Sequence, residues 1–180
     1  MIQDLRDAVG RANRVISELL EFARPGVLTL APEDLSAVAE RALSLVRLEL
    51  ARRHLTVVRE WVDPSPRLRL DRNRIEQVLI NVLVNAIHAS PEGGTITLRT
   101  RIDGDHVIVE IDDTGPGITP AHQARLFEPF FTTKPPGQGT GLGLSVARQI
   151  VQLHGGTFAI ANRPTGGARV TIDFPPTIRA

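Results

Sequence analysis

The chain has 180 residues, a length that suits one domain with or without an appended segment, and 42% of them are hydrophobic, enough for a core. A formal net charge of +1 with scattered basic residues excludes a massed basic surface, so we expect no nucleic-acid partner. The chain has no cysteine, which excludes disulfides and thiolate metal sites, and its apolar runs fall short of the roughly 18 residues of a membrane span. We expect a soluble, cytoplasmic chain, whether or not a longer parent is anchored in a membrane.

The first 24 residues predict an amphipathic helix. Apolar residues recur at three- and four-residue intervals from Leu5 to Leu20, and the pair Pro25-Gly26 would end the helix. The stripe has no evident partner within so short a segment. The helix therefore packs either on another chain or back on its own domain.

The region from residue 27 to residue 70 predicts short strands around one helix. We expect a strand at Val27–Leu30 and a helix that begins at Pro32, with acidic residues in its first turn as suits the helix dipole. An alternating strand follows at His54–Trp61, and a shorter one contains Leu68 and Leu70. The apolar positions of the helix that should be buried are Leu35, Val38, Ala39, Ala42, Leu43, Val46 and Leu50.

Residues 72–89 form the strongest predicted helix. Beside its apolar stripe, Asn81, Asn85 and His88 fall within an arc of about 60°. Asparagine is a mediocre helix former, so two of them beside a core stripe need a reason. Either they make buried hydrogen bonds, or they provide a metal or phosphate site. The stripe itself consists of Ile75, Val78, Leu79, Val82, Leu83, Ala86 and Ile87.

The second half predicts two pairs of strands and a further helix. Because helices and strands mix without strict βαβ alternation, we expect one mixed sheet covered by helices on one face. The predicted elements are strands at Thr95–Arg101 and His106–Asp112, a short helical stretch at Pro120–Leu126, a helix from Leu142 to the pair Gly155-Gly156, and strands at Thr157–Ala161 and Arg169–Phe174 around a turn at Pro164–Gly167.

The stretch Asp112–Leu144 places two glycine clusters around a phenylalanine-rich segment. DTGPG follows a strand, FEPFFTTK contains the only lysine, Lys134, and GTGLGL opens a helix. Glycine lets the backbone approach a ligand closely, and the N-terminus of a helix favours anions. The order predicts a nucleotide pocket with a lid, and we expect Leu126–Thr140 to be mobile without nucleotide. Neither a Walker P-loop nor a GxGxxG fingerprint is present.

These motifs, in this order, resemble the ATP-binding catalytic domain of bacterial sensor histidine kinases, within the superfamily of gyrase, Hsp90 and MutL ATPases. The sequences FEPFFTTK and NAIHAS are similar to those of the nitrogen-regulator branch of that family. Over residues 25–176 the resemblance implies a two-layer α/β sandwich of the Bergerat type, a mixed sheet with helices on one face, and ATP and Mg²⁺ as cofactors. Four boxes match: the N box at Asn81 and Asn85, the first glycine box at Asp113–Gly117, the F box at Phe127–Lys134 and the second glycine box at Gly139–Leu144.

The resemblance also implies roles for individual residues. Asp113 would accept from the adenine amino group, Asn85 would bind Mg²⁺ through its amide oxygen, and Lys134 and His88 would meet phosphate. It assigns no residue as a certain catalytic group. The implied nucleotide-binding residues are Asn81, Asn85, His88, Asp113, Gly115, Gly117, Ile118, Phe131, Lys134, Gly139, Thr140, Gly141, Leu142, Gly143 and Leu144.

Asn81 distinguishes a kinase from a hydrolase. In the ATPase branches, a glutamate that activates water stands one helical turn before the metal-binding asparagine, and an amide cannot replace it as a general base. Glu76 lies about 180° around the helix from Asn85 and is no substitute. The resemblance therefore implies phosphoryl transfer to histidine with slow hydrolysis. The alternatives are a gyrase-type hydrolase, an anti-sigma-type serine kinase, and a non-catalytic module that docks through its first helix.

The family's phosphoacceptor is a histidine followed by Glu or Asp, and none of the five histidines here has that neighbour. Residues 1–24, ending in SELLEFARP with Pro25, resemble the second helix of the dimerisation hairpin, and residues 25–180 would be the catalytic domain. We expect the first hairpin helix to be missing from this chain, which would then be inactive alone. The implied partners are the hairpin of the same or a sister chain, a response-regulator receiver domain, and a second copy in a full-length homodimer.

Overall fold

The computed structural model describes residues 27–135 and 139–176. The helix predicted over residues 1–24 lies outside this part and stays a prediction. Among the described helices, none is long and apolar enough to cross a membrane. In chain order the elements are β1 (Ala31–Asp34), α1 (Leu35–Arg52), β2 (Thr56–Glu60), β3 (Arg67–Leu70), α2 (Arg72–Ala89), β4 (Thr95–Asp103), β5 (His106–Asp112), α3 (Pro120–Gln123), α4 (Gly143–Leu153), β6 (Thr157–Asn162) and β7 (Ala168–Phe174).

The main sheet has five strands in the order β2-β4-β5-β7-β6. Strands β2 and β4 run parallel and the other neighbours run antiparallel, which confirms a mixed sheet. Asp112 stands opposite Arg169 at the end of β5. One residue further, the Asp113 N–H donates to the carbonyl oxygen of Ala168 at 3.0 Å. The glycine loop that begins at Asp113 therefore starts beside the turn between β6 and β7.

A separate two-stranded sheet, formed by β1 and β3, corrects the prediction for the N-terminal region. The strand expected at Val27–Leu30 and the helix start expected at Pro32 are wrong, because Pro32 lies within β1. The helix begins at Leu35, and the carboxylate of Asp34 accepts from the Ala37 N–H at 3.0 Å as its N-cap. A capping residue keeps an extended backbone, so the acidic residues precede the first turn.

The core lies between the helices and one face of the main sheet. The predicted apolar faces of α1 and α2 are buried in full, and they join alternate residues of β4 and β5, such as Leu98 and Val109. Side chains alternate between the faces of a strand, so Arg99 and Glu110 lie on the opposite face. The expected arrangement, with helices on one face, is confirmed.

That opposite face carries a network of arginines and acids around Asp112. Arg169 donates through Nε and Nη2 to the two oxygens of Asp112 at 2.6 and 2.7 Å, and Arg99 Nη1 donates to Glu110 at 3.0 Å. Burial alone would raise the pKa of Asp112, but Arg169, with Arg163 and Arg99, holds it below its usual range. An ionised carboxylate therefore stands directly before the glycine loop.

Candidate functional site

Lys134 lies against two side chains of α2. Its Nζ donates to Asn85 Oδ1 at 2.9 Å and to His88 Nδ1 at 2.8 Å. An imidazole nitrogen accepts only in the neutral ring, so His88 carries its proton on Nε2 in this arrangement. Asn85, His88 and Lys134 form one group, called the Lys134 cluster below, although the lysine follows the two others by 49 and 46 residues.

Burial and nearby charge both shift the pKa values of the Lys134 cluster. Burial lowers the pKa of Lys134, and the negative charge of Glu49 opposes that shift. The pKa of His88 is also lowered, first by burial and then by the positive charge of Lys134. His88 is thereby kept neutral near pH 7 and able to accept. Asn85 Oδ1 faces a positive charge, and a neutral oxygen in that role fits Mg²⁺.

Asn81 serves a different part of the site. Its Nδ2 donates to the carbonyl oxygen of Gly143, the first residue of α4, at 3.2 Å. Glu76, the one acid in α2, pairs with Arg41 Nε at 2.8 Å. Within the described residues, therefore, α2 presents no carboxylate to the Lys134 cluster.

The phenylalanine-rich segment packs against its surroundings through two rings. Phe127 meets Phe158 edge to face, with ring centroids 5.9 Å apart. The ring of Phe131 lies 4.3 Å from the guanidinium of Arg125 and 5.8 Å from the ring of His122. Phe131, predicted to contact nucleotide, is thus engaged beside the short helix α3.

Gly141 brings the second glycine box against this segment. The Phe130 N–H donates to the Gly141 carbonyl oxygen at 3.0 Å, and a Cβ on Gly141 would lie 2.3 Å from the carbonyl carbon of Phe130. Gly141 also has a φ of 70°. Glycine alone meets both requirements without strain. At Gly139, a Cβ would lie 2.7 Å from Thr132 Oγ1, so the two segments run in close contact.

The start of α4 offers backbone rather than side chains. Leu142 is fully buried and Leu144 packs partly buried against the core, so both side chains contribute to the packing of the helix start. The Leu142 N–H donates to Thr140 Oγ1 at 3.3 Å. Among the described residues, no side chain caps the helix that begins at Gly143, which leaves its first amides able to bind an anion.

Asp113 begins the loop Asp113–Ile118, called the Asp113 loop below. Asp113 is 8% exposed, and its Oδ1 accepts from the N–H groups of Gly115 at 2.8 Å and Ala168 at 3.1 Å. In the part of the chain that the structure describes, no hydrogen bond ends on Oδ2. Since a carboxylate oxygen accepts about two hydrogen bonds, Oδ1 is filled and Oδ2 is left for a ligand that donates.

The far end of the Asp113 loop is bound to β6. The Ile118 N–H donates to Asn162 Oδ1 at 2.7 Å, and Asn162 Nδ2 donates to the Ile118 carbonyl oxygen at 2.8 Å. A Cβ on Gly117 would lie 2.9 Å from Asn162 Oδ1. Sequence reasoning missed Asn162 and also Arg163, because the only signal there was a turn at Pro164–Gly167. An asparagine at a strand end before such a turn is the one local sign.

The Lys134 cluster and the Asp113 loop share no hydrogen bond among the described residues. They meet through the end of α2, where a Cβ on Gly115 would lie 2.7 Å from the carbonyl oxygen of Ala89. Ala89 follows His88 directly. One helix end therefore places the two groups side by side.

Comparison with known proteins gives one family and a set of sensor kinases. The family described as histidine kinase-, DNA gyrase B-, and HSP90-like ATPase matches residues 70–178. The sensor histidine kinase ZraS of Salmonella typhi is 37% identical over 180 residues, which cover 99% of this chain and 38% of ZraS. The alginate biosynthesis sensor protein KinB of Pseudomonas aeruginosa is 38% identical over 179 residues, which cover 97% of this chain and 30% of KinB. The chain thus spans under half the length of these relatives.

Solved histidine kinases share the fold. The nucleotide-free catalytic domain of ThkA superposes with a TM-score of 0.75 at 33% identity, covering 83% of this chain and 97% of that domain. Full-length ShkA in complex with AMPPNP superposes with a TM-score of 0.86 at 27% identity, covering 99% of this chain and 38% of the ShkA chain. ThkA in complex with the response regulator TrrA superposes with a TM-score of 0.81 at 29% identity, covering 97% of this chain and 50% of the ThkA chain. The predicted two-layer α/β sandwich is confirmed.

Proposed function

Because this chain belongs to the histidine kinase-, DNA gyrase B- and HSP90-like ATPase family and is similar to the sensor histidine kinases within it, we propose that it binds MgATP and transfers the γ-phosphoryl group to a histidine. The acceptor is carried by a dimerisation hairpin. The observation that carries the proposal is the Lys134 cluster, in which a cation, an amide oxygen and a neutral imidazole come together without a carboxylate from α2.

At the base end, Asp113 selects adenine. Its Oδ1 is occupied by two backbone N–H groups, and its Oδ2 accepts from the exocyclic amino group of the base. Guanine presents a carbonyl oxygen at the corresponding position, which a carboxylate would repel. The backbone of Gly115, Gly117 and Ile118 runs beside the base.

At the phosphate end, the chain supplies oxygen for the metal and positive charge for the phosphates. Asn85 Oδ1 would hold Mg²⁺, which would supply positive charge to neutralise the outer phosphates. Lys134, which donates to Asn85 Oδ1 in the structure, gives up that oxygen and meets the phosphates together with His88. The uncapped amides at Gly143 and Leu144 bind a further phosphate oxygen.

The chain acts as a kinase rather than a hydrolase because, among the described residues, α2 presents no base for water. Asn81 stands where such a base would be needed, and its amide bonds to Gly143. An amide cannot take a proton from water, so the bound ATP waits for a nucleophile that brings its own base. Catalysis then consists mainly of positioning and charge neutralisation.

The remaining proposals concern the assembly. We propose that residues 1–24, which lie outside the described part of the chain, are the second helix of the hairpin, and that the full-length protein is a homodimer through that hairpin. A receiver domain takes the phosphoryl group, as supported by the likeness to ThkA, which has been solved with a response regulator. Since the donor is ATP, the domain works in the cytoplasm, whether or not its parent is membrane-anchored.

The test is phosphorylation of a supplied hairpin that carries a His-Glu phosphoacceptor, with γ-labelled ATP. We expect acid-labile, alkali-stable label on the hairpin histidine and little free phosphate. Rapid phosphate release without a hairpin would instead favour a gyrase-type hydrolase, and acid-stable label on serine an anti-sigma-type kinase. A chain that binds no MgATP would be a docking module, and ATP binding without any label on histidine would refute the transfer.

A further inference from the structure

The turn between β6 and β7, together with the strand residues Asn162 and Ala168 that flank it, lies against both ends of the Asp113 loop. At the far end, Asn162 exchanges two hydrogen bonds with the backbone of Ile118 at 2.7 and 2.8 Å. At the near end, Arg163 Nη1 donates to the Asp113 carbonyl oxygen at 2.8 Å. One short turn therefore holds the first and the last residue of the loop.

Both the oxygen and the nitrogen of the Asn162 side-chain amide form hydrogen bonds with the Asp113 loop. Its oxygen accepts and its nitrogen donates, both to Ile118, which fixes the plane of the amide. The backbone of Gly117 passes so close that a Cβ there would lie 2.9 Å from Asn162 Oδ1. An aspartate at this position would keep the acceptor, lose the donor, and place negative charge beside the Ile118 carbonyl.

Arg163 holds the near end through its side chain and its backbone. While Nη1 bonds to the Asp113 carbonyl, Nε lies 3.4 Å from Asp112 Oδ2, and the side chain is 23% exposed. The Arg163 N–H donates to the Gly167 carbonyl oxygen at 2.9 Å, which closes the turn. The rigid, planar guanidinium can bridge a side chain and the next carbonyl, which a single ammonium does less well.

Gly167 completes the contact with Asp113. It has a φ of 80°, and a Cβ there would lie 2.0 Å from the Asp113 carbonyl oxygen, so a side chain would force the two segments apart. The next residue, Ala168, exchanges hydrogen bonds with the Asp113 N–H and Oδ1 at 3.0 and 3.1 Å. The turn therefore fixes Asp113 at its N–H, its carbonyl and one carboxylate oxygen.

We propose that Asn162 and Arg163 are positioning residues for adenine recognition, holding the Asp113 loop in the conformation that presents Asp113 Oδ2 to the base. This inference rests on the proposed role of Asp113 as the adenine acceptor. Neither side chain contacts the Lys134 cluster in the described part of the chain, so their influence falls on the base end. When either contact is lost, the loop populates other conformations, and the apparent affinity falls with the competent fraction.

The experiment compares MgATP with magnesium tripolyphosphate, which carries the phosphates but no base, by competition against a labelled nucleotide. Asn162→Asp and Arg163→Met are each expected to weaken MgATP about tenfold, as suits one or two lost hydrogen bonds. Tripolyphosphate should be unaffected. Arg163→Lys keeps one charged donor for the Asp113 carbonyl and should recover most of the MgATP affinity.

Two matched controls separate position from chemistry. Arg101→Met removes an arginine from the same sheet face, where it contacts Asp103 and Glu110 but not the loop. Asn73→Asp makes the same change at an exposed position in the first turn of α2. Both controls should bind both ligands as the unmodified chain does.

Equal losses for MgATP and tripolyphosphate would mean that the variants loosen the whole domain, and would overturn the positioning role. Unchanged MgATP binding in both variants would overturn it too. If Arg163→Met does not fold, Asn162→Asp tests the opposite end of the loop with little change in volume. Failure of the unmodified chain to bind MgATP would refute the proposed function itself, and that result needs no variant to recognise.

Discussion

The two ends of the site are held by different kinds of bond. At the Asp113 loop, the N–H groups of Gly115 and Ala168 and the side chain of Asn162 at the end of β6 fix the acceptor before any ligand arrives. At the Lys134 cluster, one long and flexible side chain joins Asn85 and His88, and it occupies the oxygen proposed for Mg²⁺. Under the proposed function, a base would therefore meet a preformed site, whereas the phosphates and Mg²⁺ would have to rearrange theirs, at a cost in ordering side chains.

The largest effect on MgATP binding is expected for Asp113→Asn, which tests the preformed base end directly. The amide oxygen can still accept from Gly115 and Ala168, but an NH₂ group replaces Oδ2 and faces the adenine amino group donor to donor. We expect MgATP to bind roughly 10- to 100-fold more weakly, from the loss of a hydrogen bond to a charged group. Calorimetric titration measures the change, with the exposed Asp105→Asn as the matched control.

Tripolyphosphate decides whether the two ends act independently. If Asp113→Asn leaves its affinity unchanged, the preformed base end and the adaptable phosphate end are separate. A parallel loss would show that the Asp113 loop also organises the phosphate end, and the comparison would fail.

An intermediate effect is expected for Asn85→Ala at the phosphate end. The variant lacks the oxygen proposed for Mg²⁺, so the ratio between ATP affinity with Mg²⁺ and with EDTA should fall by about tenfold. Affinity in EDTA should change little, because Asn85 acts through the metal. Asn73→Ala, in the exposed first turn of the same helix, should keep the full ratio. A variant with an undiminished Mg²⁺ response would remove Asn85 from the metal site.

The smallest effect concerns Asp112, which supports the base end through Arg169 and Arg163. Its folded pKa is below the ordinary 3.8, so its contribution to stability is complete above that value and is lost as pH falls through the folded pKa. Asp112→Asn should destabilise the chain by about 1 kcal/mol near neutral pH, and the difference should shrink below pH 4. Urea unfolding at pH 7 and pH 3 measures it. A difference independent of pH would exclude ionised Asp112 as the support.

Local patterns in the sequence predicted much of this fold. The buried faces of α1 and α2 follow a helical period that needs no tertiary information, and α2 has the bounds expected, 72–89. The pairing of β1 with β3 was missed because it joins distant segments, and because a proline followed by acids suits a helix start as well as a strand before a capping residue.

The residues of the candidate site also fall into two groups, those that the sequence predicts and those that only the structure reveals. Asn85, Asp113 and Lys134 stand in motifs whose order is recognisable, so the sequence pointed to them. Asn162 and Arg163 act on partners 44 and 50 residues away, and nothing periodic marks them. The sequence there predicts a turn, and only the register of β5 against β7 places that turn beside the loop.

That register also has a consequence for synthesis on the ribosome. All four recognisable motifs have been made once Leu144 is added, yet the anchors of the Asp113 loop at Asn162 and Ala168 are made later. A nascent chain that ends before β7 carries every motif of a nucleotide site without its base end. Because β7 lies between β5 and β6 in the sheet and a domain generally folds as a unit, we expect such a chain to bind nucleotide only when the last hairpin has emerged and folded.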